Sequence, residues 1–331
     1  MRLTVLGCGR WGSFLLWYAR RLGMEATGWE PAGSPVLGEL TERGGNRYLE
    51  LPRDVVLTDS LDEALPCDIL LAAVPSQEWR GLAATIGGTG LEDTDLVLCM
   101  KGLEKGTGLR LSQVAEGAGL RPRSLSALLG PGHPQQLVQG IPTCMLAASA
   151  DEEASRRISG LLGSSLVRMY RSQDMIGCEI GAAAKNVVGI AAGMLDGLGF
   201  AGLKGALMAR APQEIARVAA AAGGDWRSVY GLSHLGDYEA TLFSPFSRNR
   251  AFGEAVVRGG TFEGLAEGVH TADALYSLAQ SLGVEAPITS AVRDVIQGTC
   301  SAAEAVERLF GRPSKEEFQP DLGYPPRGAC T

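Results

Sequence analysis

Residues 2–30 read RLTVLGCGRWGSFLLWYARRLGMEATGWE, and this stretch decides the fold. Arg2–Leu6 is a short apolar run of the kind that makes a buried strand. Gly7-Cys8-Gly9-Arg10-Trp11-Gly12 follows at once, and a helical pattern runs from Ser13 to Leu22. A second strand is expected over Glu25–Trp29, ending at Glu30. Strand, G-x-G-x-x-G, helix, strand and terminal acid is the order of a dinucleotide-binding βαβ unit. Gly7, Gly9 and Gly12 permit a tight turn and bring backbone N–H groups close to a pyrophosphate at the helix N-terminus. A glycine triplet alone says little in a chain with 45 Gly; the strands on either side give it weight. Glu30 stands 23 residues after Gly7, where a carboxylate accepts from ribose hydroxyls and repels a 2′-phosphate. The expected cofactor is NAD or NADP, with NAD favoured by Glu30. The bland alternative is an empty turn followed by a solvated Glu.

Outward from this unit the texture repeats. Asp68–Val74 and Asp95–Met100 read as further buried parallel strands, each ending in a polar cluster. Ligands of open α/β sheets bind beyond the carboxyl ends of the strands, which makes Lys101 a site candidate. Leu125–Leu129, Thr143–Ala148 and Leu166–Tyr170 are the remaining strand candidates, with a helix over Asp151–Leu162. Residues 1–170 are thus expected to form an α/β doubly wound domain. Helical periodicity then takes over, including Gly205–Ala222, Phe262–Leu282 and Ile288–Leu309. Residues 171–318 are expected to form an all-α domain. Residues 319–331 (QPDLGYPPRGACT), rich in Pro and Gly without an apolar period, read as a disordered tail.

Within the helical half, Ile176–Leu195 (IGCEIGAAAKNVVGIAAGML) is apolar or small at nearly every position. A helix apolar on all sides is buried, and an ammonium inside one costs several kcal/mol unless it is paired or loses its proton. The chain has only 5 Lys against 25 Arg, so Lys185 reads as a residue chosen for its ability to titrate. The alternative is a lysine stem that packs in the core while its head reaches water. Two more polar clusters, Leu235–Thr241 with Ser247–Arg250 and Ala266–Thr271, are ambiguous by spacing alone: Asp237 could be a helix N-cap, and Ser-Arg-Asn-Arg a solvated turn.

A net charge of −7 without a basic run argues against nucleic acid or an anionic membrane surface as partner. Seven Cys without a CxxC pair and three scattered His give no metal-ligand spacing, so no metal is expected. The cysteine usage fits a reduced, cytoplasmic setting. No signal peptide is read at the N-terminus, and the polar residues of Ile176–Leu195 argue against membrane insertion.

Taken together the motifs resemble the soluble, bacterial-type NAD(P)-dependent glycerol-3-phosphate dehydrogenases. The resemblance rests on GCGRWG (7–12), NRYLELP (46–52), VPS (74–76), KGLE (101–104), GP (130–131), KNV with AAGMLDGLG (185–199), GD (236–237), SRNR with FG (247–253), and AEGVHTADA with VEAPI (266–288). It implies a Rossmann domain followed by an all-helical domain, and reduction of dihydroxyacetone phosphate to sn-glycerol 3-phosphate for glycerophospholipid synthesis. By position it implies Lys185 as catalytic lysine, with Asn186, Asp237 and Thr241 as active-site neighbours. Lys101 would contact substrate and cofactor. Gly130, Gly132, Ser247, Arg248 and Asn249 would line the substrate, with Arg248 also near the cofactor. Arg10, Trp11, Pro134, Leu265 and Glu267 match further cofactor-contacting positions. Homodimers are common in the family.

The chain departs from that pattern at Gly132-His133-Pro134, where the family carries a hydroxyl and an alanine, and at Gly202, where it carries Asn, with Lys204 in the basic position. The departures leave two other readings open: a dehydrogenase of another small phosphorylated or acidic 2-ketone, and a nucleotide-binding homologue without turnover.

Overall fold

The computed structural model describes residues 1–264, 266–314 and 316–317, so Leu265 and the tail expected over 319–331 lie outside the described residues. Contacts divide the chain into two units, Met1–Lys101 with Arg110–Met175, and Gly102–Leu109 with Ile176 onward. The first carries β1 (Arg2–Leu6), α1 (Arg10–Arg21), β2 (Glu25–Trp29), α2 (Pro35–Arg43), the β3–β4 hairpin (Gly45–Asn46, Leu49–Glu50), β5 (Val56–Thr58), α3 (Leu61–Ala64), β6 (Ile69–Ala72), α4 (Trp79–Ile86), β7 (Asp95–Leu98), α5 (Leu111–Gly117), β8 (Ser124–Leu129), α6 (Pro134–Val138), β9 (Thr143–Ala148), α7 (Glu152–Leu162) and β10 (Val167–Ser172).

Eight of these strands form one sheet in the order β10-β9-β8-β7-β6-β1-β2-β5. β6, β7 and β1 are buried along nearly their whole length, as strands covered on both faces must be. From β1 the chain first builds toward β2 and β5, then crosses to β6 and builds the other way. The reversal between β1 and β6 is the switch point at which such sheets open a crevice. Gly7, in a left-handed conformation at φ 91°, sits there: a Cβ on it would lie 2.9 Å from Val74 N, just past β6. The sheet is not wholly parallel, because β9 runs antiparallel to β8.

The second unit is helical: α8 (Met175–Gly197), α9 (Lys204–Ala221), α10 (Arg248–Arg258), α11 (Glu267–Ser281), α12 (Pro287–Ile296) and α13 (Ala302–Phe310). α8 is long and apolar enough to cross a membrane, but 89% of its apolar window is buried inside the structure. Its glycines let other elements come close. A Cβ on Gly193 would lie 1.9 Å from the Arg250 carbonyl, and one on Gly253 would lie 2.1 Å from the Ile190 carbonyl. The crossing of α8 with α10 is therefore backbone against backbone. Leu103, from the short segment 102–109, is buried in the same core.

Two helices differ from the sequence expectation. The pattern over Ile288–Leu309 is two helices, separated at Gly298 (φ 70°) and restarted by a Ser301–Glu304 capping box. The pattern over Phe262–Leu282 becomes helical only at Glu267.

Candidate active site

In the sheet unit the first element of the site is the glycine loop. A Cβ on Gly12 would fall 1.8 Å from the Gly7 carbonyl, so the turn closes only with glycine there, while Gly9 faces open space. Glu30 turns its carboxylate back onto the loop. Its Oε1 accepts from the Cys8 N–H at 2.5 Å and its Oε2 from the Ser34 hydroxyl at 2.8 Å. Asn46, from the NRYLELP motif, donates to Ser13 Oγ at 2.8 Å and accepts from the amides of Tyr48 and Leu49. α1 has no acidic residue in its first turn, and Arg10 opens it beside the Tyr48 ring. Open backbone at Gly9, a helix N-terminus free of acid and a carboxylate at the end of β2 together fit a dinucleotide.

The loops beyond β7 and β8 supply the second element. Lys101 donates to the Gly130 carbonyl at 2.8 Å, tying the two strand ends together. At Gly132 a Cβ would meet the Trp11 ring at 2.9 Å, which accounts for the absence of a side chain there. Pro134 occupies the first position of α6, where its missing N–H costs nothing. Burial pushes the Cys8 and Cys99 thiols far up, with the Glu30 carboxylate adding to the effect at Cys8 and Lys101 opposing it at Cys99.

In the helical unit the polar residues of α8 converge with two other segments. Lys185 Nζ lies 2.6 Å from Asp237 Oδ2 and 3.1 Å from Thr241 Oγ1. Thr241 in turn donates to the Asp237 carbonyl at 2.7 Å. Lysine and aspartate are both buried, at 8% and 1% exposure, so each charge depends on the other. Asp237 ends a short 3-10 turn and Thr241 sits in a π-helical turn over Glu239–Phe243, an irregularity common at functional sites. A Cβ on Gly189 would lie 2.8 Å from Thr241 Cγ2, so this face of α8 must be small for Thr241 to approach. Asn186 accepts from Asn249 Nδ2 at 3.0 Å, and Asn249 Oδ1 accepts from the Gly268 amide next to Glu267.

Ser247 caps α10 by accepting from the Arg250 amide, which places Arg248 on its first turn. Arg248 is exposed, and among the described residues its guanidinium makes no hydrogen bond or ion pair. Lys204 behaves differently. Its ammonium donates to both Asp196 carboxylate oxygens at 2.7 Å and to the Leu242 carbonyl at 3.2 Å, while Arg250 also donates to Asp196 Oδ2 at 2.8 Å. Burial would raise Asp196, but hydrogen bonds from Lys204 and Arg250 hold it below the usual carboxylate range.

Of the sequence candidates, Lys185, Asn186, Asp237, Thr241, Ser247, Arg248, Asn249 and Glu267 thus gather within the helical unit. Gly7, Gly9, Arg10, Trp11, Gly12, Glu30, Lys101, Gly130, Gly132 and Pro134 gather at the carboxyl edge of the sheet in the other. Leu265 is outside the described residues. The sequence patterns did not single out His234, and they gave no role to Tyr238 or Asn46, although both lie within the polar cluster and the motif named above. His234 is fully buried four residues before Tyr238 and three before Asp237, a polar spacing that was visible in GLSHLGDYEA (231–240).

The comparisons with known proteins agree across the chain. The family model described as NAD-dependent glycerol-3-phosphate dehydrogenase N-terminus matches residues 2–155, and its C-terminal counterpart matches 174–307. A glycerol-3-phosphate dehydrogenase, NAD(P)+, of Corynebacterium diphtheriae is 36% identical over 331 residues, covering 96% of this chain and 100% of that one. The enzyme of the same name from Chlorobium limicola is 35% identical over 333 residues, covering 96% and 99%. The crystal structure of glycerol-3-phosphate dehydrogenase from Coxiella burnetii superposes with a TM-score of 0.87 at 27% identity, covering 94% of this chain and 99% of that one.

Proposed function

The chain belongs to the NAD-dependent glycerol-3-phosphate dehydrogenase family, and from that premise we propose that it interconverts dihydroxyacetone phosphate and sn-glycerol 3-phosphate with Lys185 as the proton donor. A dinucleotide held by the glycine loop between β1 and α1 would supply the hydride that reduces the ketone at C2. Hydride addition leaves an alkoxide, which a nearby proton or positive charge stabilises. The Lys185 ammonium provides both. Asp237 at 2.6 Å offsets the cost of burying that charge, and Thr241 orients it. A buried lysine can give up its proton and take it back, as an arginine cannot. The observation that supports this reading is the buried ion pair between Lys185, on the mostly apolar helix α8, and Asp237, at the end of the 3-10 turn packed beside it.

The substrate phosphate is assigned to the start of α10. Arg248 offers a planar fork of donors, and Ser247 and Asn249 add neutral partners. Lys101, with Gly130 and Gly132, is assigned to the substrate and to the cofactor. Gly7, Gly9 and Gly12 cradle the pyrophosphate, with Arg10, Trp11, Pro134, Arg248 and Glu267 as further cofactor contacts; Leu265 completes that set from outside the described residues. Glu30 favours NAD, because a 2′-phosphate would meet its carboxylate. A cytoplasmic, dimeric enzyme completes the proposal; light scattering reports the dimer.

The experiment is NADH oxidation with and without dihydroxyacetone phosphate, repeated with NADPH. Oxidation that depends on the ketone phosphate is expected, with the higher kcat/KM for NADH. Oxidation indifferent to the ketone phosphate would overturn the activity, and a clear preference for NADPH would overturn the role of Glu30.

A further inference from the structure

We propose that His234 is a positioning residue that fixes Lys185 against Asp237 by gripping α8 one turn below the lysine. This rests on the reading of Lys185 as proton donor. The Gly181 carbonyl is the helical acceptor for the backbone N–H four residues on, which is that of Lys185. Its oxygen also lies 2.7 Å from His234 Nδ1. A carbonyl only accepts, so Nδ1 carries the proton. Nε2 then accepts from the Tyr238 hydroxyl at 2.6 Å. Both ring nitrogens are engaged, which sets the tautomer and the ring plane.

From the same residue, the His234 carbonyl accepts the Asp237 N–H at 3.0 Å. His234 therefore holds the lysine's helix with its ring and the aspartate's turn with its backbone. The slot is made for it: a Cβ on Gly181 would stand 3.0 Å from the His234 Cβ. The ionisable groups around the ring are Lys185 from α8 and Asp237 and Tyr238 from its own segment, with Glu214 of α9 and Tyr230 acting on Tyr238 behind it. Burial pushes the His234 pKa down to about 4, so near neutral pH the ring adds no positive charge beside Lys185.

The test compares His234→Leu, His234→Asn and Lys185→Ala in the full chain, reading kcat, KM, the pH profile of kcat and NADH affinity. Leucine fills space without a donor, whereas an asparagine amide places an N–H close to the position of Nδ1. His234→Leu is expected to lower kcat by about 10- to 100-fold, the scale of a small misplacement of a reacting group. Its alkaline limb should move to lower pH, because a lysine loosened from its carboxylate loses its proton more readily. NADH affinity should hold, and His234→Asn should recover most of kcat. A kcat and alkaline limb unchanged in His234→Leu would overturn the proposal, as would a fall in kcat with the limb in place and no recovery by asparagine. If His234→Leu does not fold, Tyr238→Phe keeps the His234 ring and its Nδ1–H on Gly181 but takes the donor from Nε2, so the ring is held at one end only; it should give a smaller change in the same directions, and an unchanged profile would overturn the proposal. Full activity in Lys185→Ala would instead overturn the reading of the lysine itself.

Discussion

Asp95 in the sheet unit and Asp237 in the helical unit are both buried carboxylates paired with cations, but the pairs are built for different ends. Asp95 accepts from Nε and a terminal nitrogen of both Arg123 and Arg157 at 2.6–3.0 Å, and from Ser124 Oγ at 2.6 Å. Burial would raise its pKa, but hydrogen bonds from Arg157, Arg123 and Ser124 outweigh that and hold it far below the ordinary carboxylate range. Both guanidiniums keep contact with water, at 42% and 35% side-chain exposure, and neither gives up a proton. The cluster clamps β7 to β8 and α7. Asp237 takes the Lys185 ammonium at 2.6 Å, and that cation is itself buried rather than open to water. Arginine in the first pair makes a fixed structural tie; lysine in the second leaves a charge that can move.

The comparison breaks first at Lys185. Lys185→Arg keeps the positive charge but removes the transferable proton, and kcat should fall by about 10²- to 10⁴-fold in steady-state assays. Recovery of activity by arginine would mean that charge alone is enough and that the two pairs differ only in composition.

Asp95→Ala should leave kcat intact and lower stability by about 3 kcal/mol in urea unfolding, at the low end for a broken buried pair because both arginines can rehydrate. Its pH dependence has a definite sign. A depressed carboxylate pKa contributes stability above the unfolded value of 3.8 and loses it as pH falls through the folded value. The variant should therefore lose part of the wild-type acid slope below about pH 4.

His234 is neutral when folded, near pKa 4, and protonates near 6.5 when unfolded. The unfolded chain binds the extra proton between those values, so stability is complete above 6.5 and falls as pH drops toward 4. The slope should be worth on the order of 2–3 kcal/mol across that window and be absent in His234→Asn, read by thermal melts. Smallest of all, Ser247→Ala removes the α10 cap at about 1 kcal/mol and should raise KM for dihydroxyacetone phosphate more than it lowers kcat.

Much of the sheet unit was legible because its signal is local. The glycine loop is set between two strands within thirty residues, and the backbone closeness that demands Gly7 and Gly12 lies inside the motif itself. Lys185 was legible because an ammonium is out of place in α8. The antiparallel β9 was not, since a buried strand of either direction shows the same apolar run. The break between α12 and α13 was available in Gly298 and the Ser301-Ala302-Ala303-Glu304 box, but the continuous apolar period masked it. The His234–Gly181 contact joins residues 53 apart and exists only once the helices pack, so no local pattern encodes it.

The most direct measurement is NADH oxidation by Lys185→Ala with dihydroxyacetone phosphate, alone and titrated with a small primary alkylamine. If Lys185 donates the proton, turnover collapses while NADH affinity stays near wild type, and added alkylammonium restores part of it in proportion to its protonated form. Near-normal turnover of the variant without amine would contradict that role.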